Sequence, residues 1–473
     1  MTTNAPDWSS LMPVLPGEGP KARALYLALR RLIETGMAPP GSKLPPTREL
    51  ARRLGLSRPA AVAAFEMLVA DGYAQAKVGA GTFVAPQVPA MPPGQDQPRP
   101  PEPPPAPPKA FDPGVALADR RTMDIFRRLL VRQLADPGPE HFHYGDPRGG
   151  LVLREAIAAY LRTARGVRCD ARQIVLTSGT QQGLDLLLRC IAGPGDAVWL
   201  EDPCYPMARQ ALAGTGARAI GVPVDAEGLD PAAGAKVPGP VRAVYVTPSH
   251  QFPLGVAMSM PRRLELLDWA AREDAWIIED DYDSEFRFAG PPLTALQGMD
   301  RAQRVAYLGT FSKVLFPGLR MGYAVLPPPL LDAVLDLRAR TDRQPPTLAE
   351  GAVAGLLAQN HFAAHLRRAR RHAQAARDLL VETLRQAAGD RLQVAAPAQG
   401  LHLVAWLQDG LSDVALAAAA QAAGIGCRPL SPLYLAAPPR QGLVLGFSGF
   451  PLDQVRKSAS RLGRIVAEAT PGR

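Results

Sequence analysis

The chain has 473 residues, of which 47% are hydrophobic, and its formal net charge is +9. This length predicts two or three domains with a large buried core. No apolar run approaches the roughly 18 residues of a membrane span, and the N-terminus lacks a secretory pattern. The four cysteines are Cys169, Cys190, Cys204 and Cys427, and they show no paired spacing. This pattern indicates reduced thiols in a cytoplasmic protein.

Composition divides the chain into three predicted segments. Residues 15–85 form a small N-terminal domain, residues 86–110 a linker, and residues 111–470 a large C-terminal domain. The linker is dominated by proline, which cannot build a helix or a sheet ladder and favours extended polyproline II. The sequence therefore predicts a semi-rigid spacer between two domains.

The N-terminal segment predicts three helices and a hairpin. Apolar residues at helical spacing predict a first helix over 22–35. Thr47 is the predicted N-cap of a short second helix, and Ser57 is the predicted N-cap of a third helix that runs to about residue 70. Residues 77–84 predict a hairpin with a glycine-rich tip. This order of elements predicts a winged helix-turn-helix.

A winged helix-turn-helix places its third helix in the major groove of DNA. Arginines at positions 48, 52, 53 and 58 concentrate positive charge on this unit. We expect arginines to reach phosphates or guanine edges and the wing to follow the DNA backbone or minor groove. The predicted DNA-contacting residues are Thr47, Arg48, Ser57, Arg58 and Lys77.

Four motifs of this segment resemble the DNA-binding domain of the GntR family. They are LPPTRELA from Leu44, Ser57-Arg58, Asp71-Gly72-Tyr73 and GAGTFV from Gly79. The resemblance implies binding to operator DNA. The segment departs from the family at Pro59-Ala60-Ala61, where polar residues are usual, so fewer side chains there are available to read bases.

The C-terminal segment alternates apolar strands with amphipathic helices. This pattern predicts an α/β domain with a mostly parallel sheet covered by helices on both faces. Ligands bind such sheets beyond the carboxyl ends of the strands. The predicted strands are 174–177, 197–200, 243–247, 276–279, 305–308 and 322–326.

An acid, a phenol and a lysine follow two of these strands. Asp280 and Tyr282 end one strand, and Lys313 follows the next. These groups are what pyridoxal phosphate (PLP) needs, since the acid keeps the pyridine nitrogen protonated, the phenol bonds the ring oxygen and the lysine forms a Schiff base. A strand-to-helix turn at 177–183 predicts a phosphate site, with Arg320 as its charged partner.

The joint order of these motifs resembles the fold-type I aminotransferases over residues 111–470. The resemblance implies that Lys313 holds the cofactor as an internal aldimine, that Asp280 pairs with the pyridine nitrogen and that Tyr282 contacts the ring oxygen. It also implies that Tyr205 stacks on the ring. The predicted phosphate-binding residues are Ser178, Gly179, Thr180, Thr310, Ser312 and Arg320.

Three further polar positions are assigned from the sequence. His250 or Gln251, in a loop after a strand, is predicted to bond the ring oxygen, and Gln251 is taken as the cofactor-binding residue. Tyr144 resembles a family tyrosine that reaches the partner subunit's phosphate. The pairs His141/His143 and His361/His365 have spacings that a metal could use, but no cysteine or acidic cluster completes a site. They are interpreted as surface histidines, and no metal is expected.

Together the two halves resemble the MocR/GabR subfamily of bacterial transcription regulators, over nearly the full chain. One departure concerns mechanism: Val444 stands where amino-acid transaminases carry a carboxylate-binding arginine, with Arg428 or Arg440 as possible substitutes. We expect a cytoplasmic homodimer that binds an operator and senses PLP or an amine through a Lys313 aldimine. The alternatives are an aminotransferase with an appended DNA-binding domain, and a DNA-binding protein whose second domain only dimerises.

Overall fold

The structure is a computed structural model that describes residues 20–88, 107–117 and 119–470, together with Trp8, Leu11 and residues 13–15. The chain forms two compact units, Met1–Pro105 and Ala106–Arg473. Most of the predicted linker over 86–110 lies outside the described residues. Within the described part of the chain, no helix is both long and apolar enough to cross a membrane.

The N-terminal unit contains three helices and a two-stranded hairpin. The elements are α1 (Lys21–Glu34), α2 (Thr47–Arg53), α3 (Arg58–Ala70), β1 (Ala74–Lys77) and β2 (Gly81–Val84). Leu25, Leu29, Leu50 and Leu68 are buried in one shared core, because each helix turns an apolar face inward. The antiparallel pairing of β1 with β2 completes the predicted winged helix-turn-helix.

Of the two helix caps predicted from the sequence in this unit, the structure contains one and lacks the other. Ser57 caps α3 as predicted, since its Oγ accepts a hydrogen bond from the Ala60 amide at 3.3 Å. The predicted cap at Thr47 is wrong, because Thr47 is already the first helical residue and has no side-chain cap bond. Pro46 holds the N-cap position in a non-helical conformation, at φ −55° and ψ 137°. Helix α2 therefore begins at Thr47, one residue earlier than a cap at Thr47 would place it.

The C-terminal unit alternates helices and strands, as the sequence predicts. In chain order its elements are α4 (Arg120–Ala135), α5 (Leu151–Arg165), β3 (Ile174–Thr177), α6 (Thr180–Ile191), β4 (Ala197–Asp202), α7 (Pro206–Ala213), β5 (Arg218–Asp225), β6 (Gly228–Leu229), α8 (Pro231–Gly234), β7 (Ala243–Val246), α9 (Met260–Arg272), β8 (Trp276–Asp281), α10 (Leu296–Met299), β9 (Val305–Thr310), β10 (Gly322–Val325), α11 (Pro328–Thr341), α12 (Glu350–Ala358), α13 (His361–Ala388), β11 (Leu392–Val394), β12 (His402–Leu407), α14 (Asp413–Ala422), β13 (Arg428–Pro429), β14 (Gly442–Gly446) and α15 (Leu452–Glu468).

The main sheet has eight strands in the order β3-β10-β9-β8-β7-β4-β5-β6. The five neighbours from β9 to β5 run parallel. Strand β10 runs antiparallel to both β3 and β9, and β6 returns antiparallel to β5. The sheet is therefore mostly parallel, as predicted, and the carboxyl ends of β4, β7, β8 and β9 meet at one edge.

Helices cover both faces of this sheet. Successive side chains of a strand point to opposite faces, and on β8 the neighbours Ile277 and Ile278 accordingly belong to different buried clusters. Ile278 packs in the cluster that contains α6, α7 and α11, whereas Ile277 packs in the cluster that contains α9. Both residues are fully buried, which explains why the strand appears in the sequence as a continuous apolar run.

A second, four-stranded antiparallel sheet follows in the chain, in the order β11-β12-β14-β13. Its strand β14 contains the predicted apolar run around Val444, but the sheet itself is not predicted from the sequence. Val444 lies between Val404 of β12 and Arg428 of β13 in the register of the strands. Strand β13 has only two residues, too few for a periodic pattern.

A buried ion pair supports the end of β8. Arg165 Nε donates to Asp281 Oδ2 at 2.8 Å, and both side chains are buried. The Tyr307 hydroxyl from β9 donates to the same oxygen at 2.6 Å, and a second Arg165 nitrogen donates to Ser249 Oγ at 2.7 Å. These bonds join α5, β8, β9 and the loop after β7 at the edge where the strands end.

We expect Arg165→Met to lower the free energy of unfolding by about 3–5 kcal/mol, because it leaves the buried Asp281 carboxylate without its cation. Arg172→Met is the control, since Arg172 pairs with Asp170 at an exposed position and should cost at most about 1 kcal/mol. Chemical denaturation followed by circular dichroism measures both variants. Equal losses in the two variants would contradict an anchoring role for Arg165.

Candidate cofactor site and nucleic-acid interface

A cavity of about 260 Å³ opens at the carboxyl edge of the main sheet. Eight sequence-predicted residues line it, namely Thr180, Tyr205, Asp280, Tyr282, Thr310, Ser312, Lys313 and Arg320. They come from elements that are far apart in the chain, and the parallel strands bring them together because their carboxyl ends share one edge. The cavity is thus the place where the predicted cofactor chemistry converges.

Lys313 follows β9 and points its amine at the segment that begins the C-terminal unit. Its Nζ donates to the carbonyl oxygen of Gly114 at 3.2 Å. Gly114 has φ +91°, and a Cβ there would lie 2.3 Å from Lys313 Nζ, so a larger residue would displace the amine. Burial lowers the pKa of Lys313, and the carboxylates of Asp283 and Asp280 oppose this shift. A lowered pKa increases the fraction of neutral, nucleophilic amine.

Asp280 has one oxygen in use and one without a partner. The Tyr245 hydroxyl donates to Asp280 Oδ2 at 2.7 Å, whereas Oδ1 is buried and has no hydrogen-bond partner among the described residues. Burial raises the pKa of Asp280 to about 7, and the Tyr245 hydrogen bond opposes this shift. An unpartnered buried carboxylate oxygen fits a protonated pyridine nitrogen, which would donate the missing hydrogen bond.

The predicted phosphate end lies where β3 leads into α6. Gly179 has φ +93° at the turn, and α6 begins at Thr180. Arg320 Nη2 donates to the Ser178 carbonyl at 2.8 Å, so the guanidinium is held at the start of this helix. Helix N-termini and guanidinium groups both attract phosphate. Ser178 and Gly179 belong to this turn through Arg320, although neither lines the cavity itself.

Two aromatic residues lie in the cavity wall. Tyr205 stands directly before α7 and packs edge-to-face against Phe252, with ring centroids 5.5 Å apart. The Tyr282 hydroxyl donates to the His250 carbonyl at 2.8 Å. Both rings are therefore at the site, and in this structure the predicted ring-oxygen donor Tyr282 is engaged with the protein backbone.

The structure does not bring Gln251 into the cavity lining, contrary to its predicted role. Its amide nitrogen donates to the carbonyl oxygens of Pro203, at 2.9 Å, and of Phe252, at 2.7 Å. The side chain thus satisfies one buried backbone carbonyl of the loop after β4 and one of its own loop, which leaves no donor for a cofactor. His250 is outside the lining as well, with its Nδ1 bonded to Asp283 Oδ2 at 2.9 Å.

The other predicted positions lie away from the cavity. Tyr144 is exposed, and the Arg343 guanidinium lies 4.6 Å from its ring centroid. Among the paired histidines, His365 is fully buried rather than on the surface. Its Nδ1 contacts Asp119 Oδ2 at 2.8 Å and its Nε2 contacts the Val314 carbonyl at 2.7 Å, so it is a structural residue of α13.

His250, Asp283 and His402 form a buried group of three potential metal ligands, with ligand atoms within 4.8 Å of one another. None of the four histidines considered for a metal from the sequence belongs to this group. His250 Nδ1 is bonded to Asp283, and His402 Nε2 lies 3.1 Å from the Pro253 carbonyl. Burial holds the pKa of His402 well below its ordinary value, which keeps this ring neutral.

Sequence reasoning missed several residues of the cavity. They are Pro113, Gly114, Gln181, Leu184, Tyr245, Thr247, Phe252, Pro317, Leu401 and His402. Tyr245 and Thr247 sit at the end of a predicted strand, which is the signal that could have identified them. Of the two arginines considered as substitutes at Val444, Arg428 lines the cavity and Arg440 does not. Arg428 belongs to a two-residue strand of the second sheet, so no sequence pattern could have decided between them.

The predicted DNA-contacting residues lie around the start of α3 and on the wing. Arg58 is the first residue of α3 and is exposed, as are Arg48 and Ser57. Lys77 ends β1, is also exposed, and its Nζ lies 5.0 Å from the Phe83 ring centroid. Thr47, at the start of α2, is half-buried. Positive charge is thus available at the helix terminus that enters the groove in this fold.

Each unit matches a known protein family. Residues 21–84 match the bacterial regulatory proteins of the gntR family, and residues 123–444 match the class I and II aminotransferases. The fold and the site therefore define a winged-helix DNA-binding regulator of transcription whose second domain is an aminotransferase-like domain with pyridoxal phosphate as its cofactor.

Full-length relatives narrow this class. The probable rhizopine catabolism regulatory protein MocR of Rhizobium meliloti is 37% identical over 464 residues, which cover 94% of this chain and 93% of the relative. The pyridoxine biosynthesis regulator PdxR of Corynebacterium glutamicum is 33% identical, over 93% and 94% of the two chains. The chain belongs to the MocR-type family of transcription regulators.

Solved aminotransferases share the fold of the C-terminal unit. Kynurenine aminotransferase of Pyrococcus horikoshii superposes with a TM-score of 0.70 at 28% identity, over 76% of this chain and 90% of that one. The α-aminoadipate aminotransferase LysN of Thermus thermophilus, complexed with a phosphopyridoxyl-leucine, has a TM-score of 0.69 at 27% identity, over 76% and 91%.

Asp280→Asn tests the buried carboxylate. Because the folded-state pKa of Asp280 is raised, its stabilising contribution is complete below the unfolded pKa of about 3.9 and is lost as pH rises through about 7. The cofactor-free variant should therefore melt above the wild type at pH 8, by about 2 °C for each kcal/mol recovered, with a smaller difference at pH 5.

Differential scanning fluorimetry of cofactor-free protein measures this difference, and Asp268→Asn, at an exposed position, is the control. Adding PLP at pH 8 should then raise the melting temperature of the wild type more than that of Asp280→Asn. A variant that is less stable than the wild type at pH 8, or that gains as much from PLP, would contradict the role assigned to this oxygen.

Proposed function

We propose that this regulator senses PLP itself, or a primary amine that reacts with it, through Lys313, and that occupancy of the cavity changes how the protein binds its operator. The observation that carries this proposal is the meeting of the Lys313 amine with the unpartnered Asp280 oxygen in one cavity. When bound, PLP supplies an electrophilic aldehyde carbon for amines. Ligand binding changes DNA affinity only if the ligand favours one of two states.

The residues of this chain have separable tasks in that proposal. The Gly114 carbonyl holds the Lys313 amine, and Asp280 offers an acceptor for the pyridine nitrogen. Arg320 and the start of α6 would hold the phosphate, and Tyr205 would stack on the ring. These groups would bind and orient the cofactor without a second substrate, so they are sufficient for a sensor.

The alternative of a physiological amino-acid transaminase is less favoured. A transaminase holds the substrate carboxylate with a bidentate guanidinium, and β14 carries Val444 at that position. Val444 is fully buried and packs in an apolar cluster with Phe252, Val404 and Leu430. Strand β14 therefore has an apolar packing residue where a transaminase would have its carboxylate-binding arginine. The third alternative, a domain that only dimerises, does not explain why Lys313 and Asp280 meet in one cavity.

We propose that two copies associate through the aminotransferase-like units. Large apolar side chains are exposed on the segments 142–152 and 348, namely Phe142, Tyr144, Leu151, Val152 and Leu348. A bond between His141 and Thr347, at 3.0 Å, joins the two segments into one surface. Exposed apolar residues grouped in this way are typical of an interface, and a second copy would explain why Tyr144 is exposed and does not line the cavity of its own chain.

A two-fold dimer would present two winged helices to two half-sites of an operator. We propose that Arg58, Arg48 and Ser57 contact the major groove or adjoining phosphates, and that Lys77 contacts the backbone beside the wing. Since the target is operator DNA, we place the protein in the cytoplasm. The relative PdxR is named for pyridoxine biosynthesis, which supports PLP as one candidate signal.

Lys313→Ala should abolish the absorbance change that PLP produces on binding, because no amine remains to react with its aldehyde. The same variant should lose any effect of PLP on DNA affinity. Lys457→Ala, at an exposed position on α15, is the control. Visible spectroscopy and fluorescence anisotropy, with DNA selected by the protein from a random pool, measure the two effects. Unchanged DNA affinity and footprint with and without PLP in the wild type would overturn the sensing function.

Arg58→Ala should weaken binding to the selected DNA by about 1–3 kcal/mol and relax the preference at one base position, if its guanidinium reads a base edge. Lys77→Ala should weaken binding uniformly across sequences and reduce the salt slope by about one unit, as loss of a phosphate contact does. Arg456→Ala, in the other unit, is the control. If both variants bind DNA with the affinity of the wild type, this face of the winged helix does not contact DNA.

A further inference from the structure

A second and larger pocket lies between α4 and α13, and it shares no lining residue with the Lys313 cavity. Its volume of about 630 Å³ is within the range of small-molecule sites. We call it the α4–α13 pocket. Four arginines line it, namely Arg120, Arg121, Arg128 and Arg368, together with Asp124 and His361. Basic groups therefore predominate in its wall.

Three of the pocket arginines lack a counter-ion. Arg120, Arg121 and Arg128 are exposed, and among the described residues none of them forms an ion pair or a side-chain hydrogen bond. The acid in the same wall, Asp124, lies 3.8 Å from Arg127. An anion that enters the pocket would therefore meet guanidinium groups whose positive charge is not already paired.

The start of α13 adds to this positive potential. The helix runs for 28 residues from His361, and its N-cap residue Asn360 provides no side-chain cap bond. The N-terminal end of a helix carries partial positive charge and amides without intrahelical partners, which favour phosphate. The start of α4, by contrast, is capped by Asp119, whose Oδ1 accepts from the Thr122 amide at 2.9 Å. The pocket thus combines guanidinium groups with one uncapped helix terminus.

The fourth arginine, Arg368, joins the pocket to a buried hydrogen-bond network. Its Nη2 donates to the two oxygens of Asp119, at 3.2 and 3.0 Å, and to Thr122 Oγ1 at 2.8 Å. Burial raises the pKa of Asp119, but hydrogen bonds from His365, Thr122 and Arg368 outweigh this effect and hold the pKa well below its usual range. Asp119 is therefore a carboxylate that fixes the position of Arg368.

His365 continues this network to the cofactor lysine. Its Nδ1 lies 2.8 Å from Asp119 Oδ2, and its Nε2 lies 2.7 Å from the carbonyl oxygen of Val314. Both oxygens are acceptors, so each ring nitrogen donates one bond. Val314 directly follows Lys313, and Asp119 lies five residues after Gly114, whose carbonyl holds the Lys313 amine. A change at the pocket end of the network would therefore act on both supports of the lysine.

We propose that the α4–α13 pocket binds a small phosphate-bearing anion, and that this anion alters the Lys313 site by competing with Asp119 for Arg368. The binding step is independent of the proposed function, whereas the effect on Lys313 rests on it. A ligand at Lys313 would in turn change the affinity of the pocket by the same factor. A concave pocket between two helices suits a small molecule rather than the rod-like backbone of duplex DNA.

Isothermal titration calorimetry with inorganic pyrophosphate tests the binding step. The full-length protein is saturated with PLP, so that the phosphate end near Arg320 is filled, and the ionic strength is held constant. We expect Arg121→Gln and Arg128→Gln each to weaken pyrophosphate binding about 10–100-fold, as loss of a hydrogen bond to a charged group does. Arg272→Gln, at an exposed position on α9, removes the same charge elsewhere and should bind like the wild type.

The absorbance of bound PLP tests the effect on Lys313. In the wild type it should change with pyrophosphate at the half-saturation that calorimetry gives. In His365→Gln, which breaks the link between Asp119 and Val314, pyrophosphate should still bind but the absorbance change should disappear. Arg368→Gln, at the other end of the network, should also lack the absorbance change at saturating pyrophosphate. An absorbance change that persists in both variants would contradict transmission through this network.

The pocket proposal is overturned if the wild type does not bind pyrophosphate, or if Arg121→Gln and Arg128→Gln bind it like the wild type. If the wild type binds no pyrophosphate and the same variants lose affinity and salt slope for duplex DNA of arbitrary sequence, the arginines contact DNA instead. Pyrophosphate binding without an absorbance change in the wild type refutes only the effect on Lys313. A wild type that shows no absorbance change on addition of PLP refutes the underlying Lys313 function and leaves the calorimetric result standing.

Discussion

The carboxylates that end the buried strand β8 impose the main constraint on the C-terminal unit. Three acids follow one another at Glu279, Asp280 and Asp281, and all are buried. Side chains alternate across a strand, so the outer two face one side and Asp280 faces the other. Glu279 accepts bonds from two backbone amides at the start of α10, both at 2.9 Å, and Asp281 pairs with Arg165. Each of these acids ties a further element to the sheet edge.

Asp280 differs from these two acids in its hydrogen bonding, and this difference connects the stability of the fold with binding of the cofactor. It receives one hydrogen bond from a neutral hydroxyl, that of Tyr245, and keeps one oxygen unpartnered. Burial accordingly raises its pKa to about 7, which means that the charged form destabilises the empty protein near neutral pH. A bound pyridinium would reverse that cost. Binding of the cofactor would then stabilise the native state. The unpartnered Asp280 oxygen lowers the stability of the cofactor-free protein and at the same time provides a binding contact for the cofactor.

The second sheet adds residues to the cavity wall that the main sheet does not supply. Asp202, at the end of β4, bonds three consecutive amides after β13 and so fastens this sheet beside the cavity. Arg428 of this sheet lines the same cavity as the main-sheet residues, and it pairs in register with Val444 of β14.

Local patterns in the chain determined much of this protein. Helical spacing, the Ser57 cap and the glycine-rich hairpin define the winged helix, and continuous apolar runs define the buried strands. Asp280, Tyr282 and Lys313 could be predicted because parallel strands bring their carboxyl ends together whatever the intervening length. Thr47 failed as a cap because one residue, Pro46, shifted the helix start. Such signals extend over only a few residues.

Long-range packing decided the rest. Gln251 was predicted to bind the cofactor, but its amide is used by backbone carbonyls of Pro203 and Phe252 that only the folded loop brings near. Gly114 and Arg428 reach the Lys313 cavity from positions some 200 and 115 residues away in the chain, and neither lies in a periodic pattern. The sequence by itself determined the two domains and the cofactor chemistry. Tertiary structure alone decided which buried polar groups are satisfied internally and which remain free for a ligand, because that depends on contacts between distant segments.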